Sequence, residues 1–171
     1  MLESLAFALV KTFISFMFNQ HLEHAQSVRI EGAPGWYYQQ TVGHICDSGN
    51  ATGTLDAVEQ SKANARKQMV DRINKALDIV AYENFRNKTD PAERALVARF
   101  KQDENLPVFV ESAVMYENIE YKEKQSIAYA RVCIAKETLL AYQKERVDKL
   151  KKAVTLHHRD RAMDELDAEF K

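Results

Sequence analysis

Between Leu55 and Asn84 the apolar residues Leu55, Val58, Ala65, Met69, Ile73, Leu77 and Val80 follow steps of three and four, while Glu59, Lys62, Arg66, Lys67 and Asp71 fall elsewhere on the helical wheel. A strand alternates with a period of two, so this spacing requires a long amphipathic α-helix that packs through one face. Such a stripe needs a surface to lie on, and the flanking sequence predicts a sheet. The aromatic and β-branched stretch Trp36–Cys46 reads as a first strand. Val108–Tyr121 and Ser126–Ile134 read as a hairpin around the polar turn Lys122–Gln125. In its second arm Ala128, Ala130, Val132 and Ile134 share one face, and Ile127, Tyr129, Arg131 and Cys133 the other.

The remaining elements follow from punctuation. Asp47–Thr54 holds turn residues and ends in a plausible cap for the long helix. Asp90-Pro91-Ala92-Glu93 places an acid, a proline at the first helical position and a glutamate behind it, which predicts a second helix from Pro91 to about Gln102. Leu106-Pro107 then breaks it. Ala135-Lys136-Glu137 opens a last helix with Leu140, Val147, Leu150 and Val154 inward, and the charged tail from His157 to Lys171 continues it with Met163, Leu166 and Phe170 as a weak stripe. The predicted fold is α+β in the order β-α-α-β-β-α. It is a small antiparallel sheet of about three strands packed by helices, with an extra apolar N-terminal helix and a charged C-terminal one.

The chain divides into an apolar segment 1–27, a domain over 28–150 and a charged extension over 151–171. At 171 residues it has room for one such domain. From Leu5 to Phe18 it is apolar for about 14 residues, broken only by Lys11, whereas a membrane-crossing helix needs roughly 20. Three readings stay open: an atypical export signal, a helix that docks on a partner or membrane interface with Leu5, Leu9, Phe13 and Phe16 on one side, and a buried N-terminal helix. The break Glu31-Gly32-Ala33-Pro34-Gly35 then opens the domain.

Function classes are narrowed by charge and motif. Lys plus Arg number 24 and Asp plus Glu 25, for a net charge of -1, so no basic field holds a polyanion and nucleic acid is not the expected partner. No phosphate-binding glycine loop occurs. The pairs His21/His24 and His157/His158 lack further ligands at metal spacing, and His44 with Cys46 lacks a third group to orient a base. We therefore expect no enzyme activity, no catalytic residues, no metal and no cofactor. Cys46 and Cys133, the two cysteines, each fall near the end of a predicted strand and would pair in an oxidising compartment if those strands are neighbours. Trp36, Tyr37 and Tyr38, beside Pro34, read as core or subunit contacts.

Arg29-Ile30-Glu31-Gly32-Ala33-Pro34-Gly35-Trp36, the alanine-spaced helix Ala57…Ala63-Asn64-Ala65-Arg66…Ile73, and Tyr129-Ala130-Arg131-Val132 before Lys136-Glu137 together resemble the bacterial lipoprotein-twenty family over about residues 28–150. The entrance through Tyr37-Tyr38 is most similar to its flagellar assembly lipoprotein branch. The resemblance implies a non-enzymatic structural component of the cell envelope. It would be an oligomerising subunit of a ring or disc at the periplasmic face of the outer membrane or around the flagellar motor, in contact with other envelope or motor proteins. Pro34, Trp36, Tyr37, Tyr38 and Tyr129, with the apolar N-terminal segment, are its candidate contacts. Family lipoproteins carry an acylated cysteine after the signal, where this chain has Phe18 and Asn19. The alternative is a soluble or secreted α+β binding module that acts on a host or carries a small ligand.

Overall fold

The computed structural model describes residues 30–39, 41–85, 91, 94, 95, 98 and 101–169. The apolar run with Leu5, Leu9, Phe13 and Phe16 lies outside them. The described elements are β1 (His44–Thr52), α1 (Ala57–Phe85), α2 (Leu106–Ala113), β2 (Met115–Lys122), β3 (Ile127–Ala135) and α3 (Lys136–Glu169), with single 3-10 turns at Gly35–Tyr38 and Glu123–Gln125. The fold is α+β. Its sheet is antiparallel in the order β1-β3-β2, which puts the last strand of the chain in the centre. Between the long helix and the hairpin, Pro91, Arg94, Ala95, Ala98 and Lys101 are helical.

The sheet has an inner and an outer face. On the inner face the register places Ile45 opposite Ile134, Asp47 opposite Val132, Gly49 opposite Ala130 and Ala51 opposite Ala128, and α1 crosses here. Helix and sheet approach closely at Gly49, where an added Cβ would sit 2.3 Å from Ala65 N and 2.6 Å from Ser61 O. That approach explains the small residues Ala57, Ser61 and Ala65, all buried, at four-residue steps on α1. Further along, the gap is filled by Met69, Ile73, Ala76 and Leu77, against which Ile45, Val132, Ile134, α2 Leu106 and Val110, and α3 Leu139 pack. Burying each of the large aliphatic side chains stabilises the fold by about 1.5–3 kcal/mol.

The structure shifts three predicted segments. The first strand lies at His44–Thr52, not Trp36–Cys46, and Gly35–Tyr38 forms a 3-10 turn. Asp47, Ser48 and Asn50 carry turn chemistry locally, but each finds a tertiary partner: Asp47 pairs with Arg72, Ser48 Oγ donates to Tyr37 O and Asn50 O accepts from Asn64 Nδ2. The first half of the predicted strand Val108–Tyr121 is α2, because Pro107 stands in its first turn, where no amide donor is required, and starts a helix rather than only ending one. Leu55, placed on the buried stripe by its spacing, precedes α1 and is 94 % exposed. The last helix runs without interruption across residue 150 to Glu169.

Candidate interaction surface

On the outer face the register sets Cys46 opposite Cys133, Ser48 opposite Arg131 and Asn50 opposite Tyr129. Residues Ile30–Gln39 and Thr41 lie across this face as a strap. Pro34 and Tyr37 are buried, while Trp36 and Tyr38 are half-buried. Tyr37 meets Tyr129 edge to face at 5.6 Å and Tyr38 at 5.0 Å, a favoured arrangement of aromatic quadrupoles. Tyr37 OH donates to Asn50 Oδ1 at 3.4 Å, and Trp36 Nε1 donates to Glu120 Oε2 at 3.2 Å. Burial, reinforced by Tyr38 and Tyr129, pushes the Tyr37 phenol up to about 12. The sequence-predicted residues Pro34, Trp36, Tyr37, Tyr38 and Tyr129 are therefore brought together, with Tyr37 and Tyr129 spent on internal packing.

Lysine and arginine fasten the strap. Lys122 Nζ donates to Gly32 O at 2.6 Å, where Gly32 takes φ 81°, a left-handed conformation that favours glycine. Arg131 Nη2 donates to Gln39 O at 2.5 Å and to Thr41 Oγ1 at 2.9 Å, and Nη1 pairs with Glu117 at 3.2 Å. Burial lowers the Arg131 pKa, with Glu117 opposing the shift. Cys46 and Cys133 are joined by a disulfide next to this cluster, and both are buried. Sequence reasoning missed Glu117 and Arg131 as partners. Glu117 stands at an irregularity between Tyr116 and Asn118, where the register to β3 slips by one residue, and a bulge of this kind leaves no mark in residue type.

Beyond the strap lies β2, the outermost strand on its side of the sheet. Met115, Tyr116 and Ile119 are 49 %, 39 % and 46 % exposed. Among the described residues no further strand pairs with β2. Tyr116 OH accepts from Arg66 Nη1 at 2.8 Å, and Lys62 Nζ lies 5.5 Å from its ring centre, so a basic flank of α1 borders Tyr116 on the inner face, where Ile119 also stands, while Met115, opposite Cys133, belongs to the outer face. Edge strands of this kind present unpaired backbone groups to other chains.

A second feature is polar. A cleft of about 640 Å³ is lined by Asn74, Asp78, Arg94, Lys101, Asp103 and Glu104, among others. Asp103 accepts a hydrogen bond from Tyr142 OH and pairs with Arg146 at 3.2 Å, while Tyr142 stacks on Phe109 at 3.8 Å. Burial and the adjacent Asp103 carboxylate push the Tyr142 phenol up, and burial lowers Arg146. The carboxylate is thus held by neighbours at the wall of the cleft.

Comparison with protein-family models, curated proteins and solved structures finds none that matches the chain. No described helix is long and apolar enough to cross a membrane.

Proposed function

We propose that the chain is a non-enzymatic structural protein of the bacterial cell envelope. On this reading it assembles with copies of itself, and with neighbouring envelope or flagellar-motor proteins, into a ring or disc at the periplasmic face of the outer membrane. The observation that carries the reading is the β2 edge, an outer strand with Met115, Tyr116 and Ile119 each more than a third exposed. Exposed apolar edges are contact sites when they are not guarded. Here the bulge at Glu117 and the charge of Lys122 guard only parts of the strand. The Cys46–Cys133 disulfide supports export, since such bonds persist in oxidising compartments. The sequence resemblance at Gly32–Trp36 and Tyr129–Val132 points the same way.

Size-exclusion chromatography with light scattering over a range of concentrations tests it. The wild-type chain is expected to form oligomers, and Ile119→Lys, which puts a charge on the exposed edge strand, to shift them toward monomer. A wild-type chain that stays monomeric throughout would overturn the assembly reading. The polar cleft beside Asp103 favours a second reading, a soluble or secreted binding module. A small ligand that raises the melting temperature of a monomer, and loses that effect in Arg94→Ala, would favour it.

A further inference from the structure

We propose that, once the Cys46–Cys133 disulfide is reduced, the two thiolates and the Glu117 carboxylate form a binding site for a zinc-class divalent cation. The ligand atoms of these three residues lie within 4.8 Å of one another. In tetrahedral zinc sites, bonds of about 2.0–2.3 Å set neighbouring ligand atoms roughly 3.3–3.8 Å apart, so the two sulfurs part once their bond is broken, and the carboxylate closes on them by about 1 Å at most. Wherever the sheet is folded its register keeps the two cysteines neighbours, because Cys46 and Cys133 are directly opposed in adjacent strands.

Glu117 is aimed by its neighbours. Thr41 Oγ1 donates to Glu117 Oε2 at 2.9 Å, and Arg131 Nη1 meets the same oxygen at 3.2 Å. Both contacts fall on Oε2, so the carboxylate is held by one oxygen. Thr41 is itself fixed by Arg131 Nη2. This is the outer-sphere orientation that metal-binding carboxylates ordinarily receive. Charge supports a divalent occupant. Two thiolates and a carboxylate carry three negative charges, Arg131 offsets one, and a divalent ion offsets the other two. Two sulfur ligands favour a borderline-soft ion over magnesium or calcium, and water takes the fourth position.

The chemistry balances without an unnamed reagent. A dithiol or phosphine reductant is oxidised and delivers two electrons; with two protons these convert the disulfide to two thiols, and the ion then displaces both thiol protons. The oxidised protein belongs to the structural role proposed above. The metal-bound form belongs to the same chain under reducing conditions, so the two readings stand or fall separately.

The test is an anaerobic cobalt(II) titration of the phosphine-reduced full chain. Equimolar thiolate-to-cobalt charge-transfer absorption is expected, displaced by zinc(II) and absent from the oxidised protein. Glu117→Gln is expected to weaken binding by about tenfold or more, and Thr41→Val to weaken it within the 10–100-fold range of outer-sphere partners. If reduction unfolds the chain, cobalt(II) is expected to restore its far-ultraviolet dichroism, since binding then drives folding. Reduced protein that shows no charge-transfer absorption and no such restoration would overturn the proposal. So would equal affinity in the wild type and Glu117→Gln.

Discussion

Replacing Gly49 by alanine adds a Cβ that lies 2.3 Å from Ala65 N, 2.6 Å from Ser61 O and 2.8 Å from the Asn64 carbonyl carbon. All three are backbone atoms of α1, so no side chain can rotate away. Ordinary contact begins near 3.4 Å, and the helix must retreat by about 1 Å where Ala65 and Ser61 face the sheet. A radial gap of 0.5–1 Å forfeits a quarter to a half of each dispersion contact, and overpacking of a filled core costs about 1–3 kcal/mol, occasionally more. Taking about 3 kcal/mol, a chain of this size loses about 6–12 °C of melting temperature. Differential scanning calorimetry of the oxidised protein would measure it. Gly35→Ala serves as the control, because its added Cβ meets nothing within 4 Å, and its melting temperature is expected to stay within about 2 °C of the wild type. If Gly49→Ala melts together with Gly35→Ala, the close approach of α1 to β1 described above is wrong.

Two further predictions concern the buried pair on the inner face. Arg72 donates to Asp47 Oδ1 and to Cys46 O at 3.3 Å, and Asp47 Oδ2 has no hydrogen-bond partner among the described residues. Arg72→Met is expected to cost about 3–5 kcal/mol at pH 8, where Asp47 would be left as an uncompensated charge, and less at pH 5, where the carboxyl takes up a proton. Urea unfolding at the two pH values decides this, and a cost that does not depend on pH would refute it. Burial, opposed by Arg72, raises Asp47 from 3.8 to about 7. Its contribution is therefore full below about pH 4 and is lost as pH rises through about 7. The stability difference between wild type and Asp47→Asn should fall across that window and level off above it, and a difference that grows with pH would contradict the assignment.

Much of this fold was legible in the residues, and the failures have a common cause. The three- and four-residue spacing from Val58 to Leu77 and the alternation from Ile127 to Ile134 are local patterns that tertiary structure had no reason to override. β1 was misplaced because Asp47, Ser48, Gly49 and Asn50 are turn formers when judged alone. Their strand conformation depends on Arg72, Tyr37, Asn64 and the backbone of α1, which are distant in sequence. α2 was read as strand because Val108, Phe109 and Val110 favour extended structure, yet Leu106 and Val110 sit one helical turn apart and both are buried. The aromatic cluster around Tyr37 was visible as a cluster, and its partner Tyr129 as a candidate, although the geometry that joins them was not. Glu117 was invisible because its place is set by a slipped register.

The position of β3 in the middle of the sheet bears on how the chain is made. Among the described residues β1 and β2 do not pair with each other; each pairs with a strand that emerges after both. While a ribosome is still short of Ile127, the nascent chain holds two strands with nothing to pair with and a long helix with only half a surface beneath it. Such contacts between distant residues form late and slowly. The sheet thus cannot close until most of the domain has been synthesised, and a truncation ahead of Ile127 removes the partner of both outer strands at once.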